Sequence, residues 1–142
     1  MTNIEAVRAW LRTYPPLQEG RLNVDFLPEE AQNYAVEMIP CEPEVKRYFD
    51  GSSIRRFAFL LASCEFSGDD IQQNTDNLGF YEAFAAWVER QNQQRQLPLL
   101  AQGRTARRVK VTTNGYQYDA DAHGSARYQI QMQMTYFQEG GR

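Results

Sequence analysis

The chain of 142 residues is short of several things that chemistry needs. It has one histidine, His123, two cysteines, Cys41 and Cys64, and, among 15 cationic residues, only two lysines, Lys46 and Lys110. With one histidine, in a polar segment beside Gly124, no nucleophile, base and oxyanion hole can be named together, so the chain is not expected to be an enzyme. Neither a glycine-rich phosphate-binding motif nor a CxxC pair occurs, which removes the commonest nucleotide, redox and zinc readings, and no cofactor is expected. The two cysteines read as buried thiols rather than a disulfide. No run of about 18 apolar residues is present, and the N-terminal stretch, with Glu5 and no apolar core, does not read as a secretory signal, so no membrane partner is expected. Repeats and Pro/Gly/Ser linkers are also missing, and 1–142 reads as one domain. A net charge of -3 removes the electrostatic drive for nucleic acid, and no specific nucleic-acid partner is expected.

What is present is the composition of a packed globular domain, 42% hydrophobic and 13% aromatic. Thr2 and Glu5 are spaced as a capping box ahead of Ile4, Val7, Trp10, Leu11 and Tyr14, one face of a helix that Pro15-Pro16 should stop. Leu22–Phe26 alternates as a short strand and Tyr34–Ile39 as another, closed by Pro40. Cys41–Arg55 is polar and reads as an extended flap with a turn at Asp50-Gly51. Phe57–Ala62 is apolar at successive positions, so it predicts a central strand covered on both faces, the second cover being a helix of this chain or a neighbouring subunit. The segment Gly68–Asn77 reads as a polar loop in which Asp69 and Asp70 complement the start of a helix from about Leu78 to Gln94, with Phe80, Tyr81, Phe84, Trp87 and Val88 inward. Gly103-Arg104 opens a basic loop, and Val109–Tyr118 and Tyr128–Phe137 form a long hairpin. In its last strand Tyr128, Ile130, Met132, Met134 and Tyr136 alternate with Gln129, Gln131, Gln133 and Thr135, a polar but uncharged face that suits contact with another protein.

The order α-β-β-β-α-β-β predicts an α+β fold: a mixed or antiparallel sheet of four to five strands with two helices packed on it. Asp119, Asp121 and His123 form a D-x-D-x-H run, the one candidate for weak metal binding; it reads better as acidic turn residues, and no metal site is expected.

Several stretches resemble a family of small structural proteins of tailed phages and prophages of Gram-positive bacteria, commonly labelled minor capsid proteins. They are Ile4–Leu11, Val24–Leu27, Asp76–Glu82 and Ala126–Gln131 running into Met134–Phe137. The element order also looks like that of siphophage tail-terminator and tail-to-head joining proteins. The resemblance implies a virion protein, assembled in the host cytoplasm, that forms a homo-hexameric ring, caps the tail tube, stops its polymerisation and docks on the head–tail connector. A minor capsid or head-completion protein at the portal side is the alternative, followed by a phage-encoded accessory protein or a small metal-dependent enzyme. Under the ring reading, exposed polarity nominates Glu44, Lys46, Arg47 and Tyr48 in the flap, Arg104, Arg107, Arg108 and Lys110 in the basic loop, and Gln129, Gln131 and Gln133 on the last strand as ring and tube contacts.

Overall fold

A computed structural model describes residues 1–18, 21–24, 33–66, 71–120 and 125–140. The elements run α1 (Asn3–Leu11), α2 (Pro15–Gln18), β1 (Arg21–Val24), β2 (Asn33–Ile39), β3 (Glu44–Arg47), β4 (Ser53–Phe66), α3 (Ile71–Gln93), β5 (Arg104–Val111), β6 (Tyr116–Ala120) and β7 (Ser125–Gln138). The expected α+β class holds, but among the described residues the sheet is a mixed one of seven strands with three helices rather than four to five strands with two, because α2, the β3 hairpin strand and the split of β5 from β6 add elements to the expected order. The sheet is five ribbons wide, β1-β2-β4-β7-β5; β3 continues beside β4 below β2, and β6 beside β7 above β5. Among the described residues the pairing of β1 with β2 is the one parallel one.

The capping box forms as spaced: Thr2 Oγ1 accepts from the Glu5 backbone N–H and Glu5 reaches back to Thr2, an arrangement worth about 1 kcal/mol to α1. Pro15-Pro16 does more than stop α1. Proline at a first helical position has the right φ and lacks only an N–H that would be orphaned anyway, so the pair opens α2, which buries Leu17. The aromatic helix is also longer than expected, starting at Ile71 inside the segment read as a loop. Its far end, with no glycine available, closes in a Schellman motif: the Gln96 N–H donates to the Gln91 carbonyl (2.9 Å) and the Arg95 N–H to that of Asn92 (3.2 Å), with Arg95 at φ 59°.

Strand β4 is central, paired along its whole length with β7 and on its other side with β2 and then β3. The register puts Phe59 opposite Met132 and Leu61 opposite Ile130 on an inner face; Ala58, Leu60 and Ala62 fall on the outer face opposite Gln133, Gln131 and Gln129. All three helices pack on the inner face. Val7, Trp10, Leu11, Leu17, Phe84, Trp87 and Val88 join Phe59, Leu61, Ile130, Met132 and Met134 in one core. Trp10, Tyr14, Phe84 and Trp87 meet ring to ring at 4.9–5.8 Å where α1 crosses α3. Burial pushes the Tyr14 phenol above its ordinary pKa, and Arg90 pulls it partly back. The Tyr81 hydroxyl enters this core with partners, sharing a 2.5 Å hydrogen bond with Ser63 Oγ and donating to the Tyr128 carbonyl at 3.1 Å.

The long hairpin is present, but its first arm is two strands, β5 and β6, separated by residues 112–115. Gly115 sits there so close to Tyr81 that any Cβ would collide with the Tyr81 ring. Side chains cap the sheet where its edges would otherwise leave backbone groups unpaired. On β5, Asn92 accepts from the Val109 N–H (2.9 Å) and donates to its carbonyl (2.7 Å); on β1, Arg8 Nε donates to the Leu22 carbonyl (3.0 Å). Neither cysteine is in a disulfide; Cys64 is buried as expected, whereas Cys41 is only half-buried.

Candidate interaction surface

The outer face of the sheet carries no helix among the described residues, yet β4 is buried on it: Ala58, Leu60, Ala62 and Cys64 are each less than a tenth exposed. Of the two covers expected for this second face, a helix of this chain or a neighbouring subunit, no helix lies there among the described residues. Within this chain the cover is a layer of polar side chains lying flat. Arg127 Nη2 donates to the Glu37 carboxylate at 2.8 Å, across the strand between them, and its Nε donates to Gln129 Oε1 at 3.3 Å. Gln129 Nε2 then donates to the Tyr116 hydroxyl (2.6 Å), which also accepts from Gln131 Nε2 (3.2 Å). The network thus spans β2, β4, β7 and β6. It lies flat because the column beneath is short: Ala35 and Ala62 share a row with Gln129, and the Arg127–Glu37 diagonal passes over Ala62, which is fully buried. Glutamine suits this work, since its amide both donates and accepts and costs less to desolvate than a charge.

This arrangement changes the standing of the nominated glutamines. Gln129 is 4% exposed and lies inside the network, Gln131 is half-buried at the network's edge through its bond to Tyr116, and Gln133 is half-buried opposite Ala58. The basic segment is not a loop but strand β5, so its residues divide between the faces. Arg104 lies opposite Gln138 on the inner side, where its Nη1 donates to Asn3 Oδ1 at 3.2 Å. Arg107 is the extra residue of a bulge between Ala106 and Arg108, and its guanidinium sits 5.7 Å above the Phe137 ring. Arg108 and Lys110, opposite Thr135 and Gln133, are exposed on the outer face.

Two further cations join them there by register: Arg56, opposite Thr135 on β4, and Lys46, opposite Ile54 on β3. Sequence reading missed Arg56, which nothing but the pairing of β4 with β7 brings into line with Arg108. The ion pairs among the described residues are Glu44 with Arg47 (2.6 Å) and with Arg55 (3.7 Å), and Glu37 with Arg127 (2.8 Å). Lys46, Arg56, Arg107, Arg108 and Lys110 therefore make a band across one end of the outer face with no carboxylate neutralising it among the described residues. On a chain of net charge -3 this concentrates positive potential on one side.

The flap, expected to be an extended connection, is a tight hairpin. Strand β3 pairs with the start of β4. The Gly51 N–H donates to the Tyr48 carbonyl (3.0 Å) and the Tyr48 N–H to that of Ser52 (2.8 Å), with Gly51 at φ 90°, a three-residue loop ending in a left-handed glycine. Asp50 Oδ1 accepts from both the N–H (2.9 Å) and the hydroxyl (2.5 Å) of Ser52, bonds that hold its carboxyl below the ordinary range. Glu44 and Arg47 are tied to each other, with Arg47 also donating to the Gly51 carbonyl (3.3 Å). Lys46 lies 5.1 Å from the Tyr48 ring. Gly140 packs on this turn so tightly that a Cβ there would strike the Asp50 carbonyl. The polarity of the segment conceals its most exposed apolar group, Phe49, which points into solvent beside half-exposed Val45 and Tyr48.

For the metal-dependent alternative, no group of three His, Cys, Asp or Glu side chains able to hold a metal comes together among the described residues. Asp121, His123, Asp69 and Asp70, and the side chain of Asp119, lie outside those residues. Among the described residues no helix is long and apolar enough to cross a membrane. No family model matches this chain, and no curated protein matches it in sequence.

Proposed function

We propose that this chain is a virion structural protein that works by protein–protein contact: a tail terminator that closes the tail tube as a ring and presents a docking face to the head connector. The observation that carries the reading is the outer sheet face, where the hydrogen-bonded Glu37–Arg127–Gln129–Tyr116–Gln131 network lies beside a band of cations that no carboxylate neutralises among the described residues. The networked part is ordered before it binds, so little ordering entropy is lost there on contact. The cations favour a partner with an acidic surface and speed the encounter, while arginine, which makes up most of the band, pairs carboxylates in a planar fork. The resemblance to phage minor capsid and tail-terminator proteins supplies the setting. Lys46, Arg107, Arg108 and Lys110 remain the contact residues of choice, with Gln131, Gln133 and Tyr48 beside them. Arg104, held under the helices by Asn3, and Gln129, inside the network, act by shaping the surface; Glu44 and Arg47 act by stiffening the hairpin.

Electron microscopy of lysates from the parent phage with this gene deleted tests the reading. Overlong or unjoined tails beside filled heads are expected; unstable or empty heads beside normal free tails would move the protein to the portal side, and normal infectious particles would sink both. Complementation with the Arg107→Glu, Arg108→Glu double variant sharpens it. Both side chains are exposed and the main loss is the Arg107–Phe137 contact, so the variant is expected to fold with stability within about 1 kcal/mol of the original while failing to restore joined particles.

A further inference from the structure

The hairpin tip and a depression elsewhere on the same chain have matching chemistry. Phe49 is fully exposed, yet its backbone is pinned by the Tyr48–Ser52 and Gly51–Tyr48 hydrogen bonds, by Asp50 and by the packing of Gly140. A phenylalanine held rigid in water is a poor use of apolar surface in a lone molecule, but it is the form of an interface anchor, because its ordering has been completed before binding. The depression, about 450 Å³, lies between α1 and the segment following α3, with walls formed by Ala6, Ala9, Trp10, Leu97 and Leu99. Leu99 is 86% exposed at its lip. Trp10 leaves no unmet polar atom there, its Nε1 donating to the Gln96 carbonyl at 2.8 Å. The charges also match. Asp50, adjacent to Phe49, is a carboxylate whose two bonds from Ser52 both fall on Oδ1, and Arg95, on the lip of the depression, is exposed and in no ion pair among the described residues.

We infer that Phe49 of one copy seats in the Trp10–Leu99 depression of a second copy, with Asp50 of the first copy against Arg95 of the second. Donor and acceptor are different surfaces, so the contact is heterologous and repeats from copy to copy. The inference rests on the self-assembly reading above and supplies its subunit contact. A Phe with its flanking Val45 and Tyr48 covers a few hundred Å² at most, against about 1,200–2,000 Å² in a stable pairwise interface. Two isolated copies are therefore expected to associate weakly, and a closed ring or a tube end to multiply the contact.

Sedimentation velocity from about 10 μM to about 1 mM, a range that reaches weak contacts, tests this on the full chain. The original chain should show mass increasing with concentration. Phe49→Asp and Leu99→Asp should each stay monomeric, and as both positions are exposed both variants should keep the native circular dichroism. An equimolar mixture of the two should recover pairs and nothing larger, since one intact donor and one intact acceptor remain. Self-association unchanged by Phe49→Asp would overturn this contact while leaving the ring reading standing. A chain monomeric throughout that range would overturn the contact, with the deletion phenotype then deciding the ring reading. Co-sedimentation of a monomeric original chain, but not of Phe49→Asp, with phosphatidylserine–phosphatidylcholine vesicles would also overturn it and assign the tip to a lipid surface.

Discussion

The two faces of the sheet are built from the same strands and exclude water by opposite means. On the inner face of β7, Tyr128, Ile130, Met132, Met134 and Tyr136 pack against three helices, and stability there comes from apolar area removed from water, at about 25 cal/mol per Å². On the outer face the alternate residues Arg127, Gln129 and Gln131 bury an alanine-rich strip under hydrogen bonds, each worth about 1 kcal/mol net. Along the centre of β4 burial is nearly as complete on the second face as on the first, but the layer above it is polar and half-buried. The lesson is that a sheet face without helices need not be an exposed one. On the proposed function one face carries most of the stability and the other most of the recognition, so substitutions on the two should differ in kind.

The largest expected effect is on the inner side. Phe84 is fully buried, stacked on Trp87 and edge-on to Tyr14, and Phe84→Ala should cost about 3–5 kcal/mol through lost burial and the cavity left behind. Urea unfolding followed by tryptophan fluorescence would read this directly, because Trp10 and Trp87 both lie in that cluster. A loss below about 1 kcal/mol would mean that the helix layer is not the main source of stability. On the outer side Arg127→Ala removes the half-exposed pair with Glu37 and uncovers Ala62, and should cost about 1 kcal/mol or less. The same titration measures it, and a cost as large as that of Phe84→Ala would erase the distinction between the faces.

Much of the inner face was legible in the sequence because it depends on period alone. The stripe of Phe80, Tyr81, Phe84, Trp87 and Val88, the alternation through β7 and the capping box of α1 all landed where spacing put them. The first turns of α3 were not, since Gln72, Gln73, Asn74, Thr75, Asp76 and Asn77 offer no apolar stripe to betray a helix. The outer surface was legible only as polarity. That Gln129 is buried and Arg104 drawn under the helices depends on which strand lies beside which, and the bulge at Arg107 shifts the phase of β5 in a way no local pattern announces. Phe49 is hidden in the sequence because Asp50-Gly51 marks a turn, and turns are read for their polar residues. An aromatic residue immediately before such a pair is the signal that was there to be used.

The smallest expected effect concerns the join between α3 and the segment that walls the depression. Arg95 closes α3 at φ 59°, a conformation that places a Cβ close to the backbone and that glycine adopts at little cost. Here selection for a helix stop alone would favour glycine. Arginine at this position keeps a guanidinium on the lip of the Trp10–Leu99 depression, so the strain is accounted for if that charge is used in contact. Arg95→Gly should therefore raise stability by about 0.5–1 kcal/mol, read as a higher urea midpoint, while weakening self-association. A variant that gained stability and assembled as before would leave the arginine without a purpose on this surface. One that lost stability would show that its side chain, rather than the backbone turn, holds the end of α3.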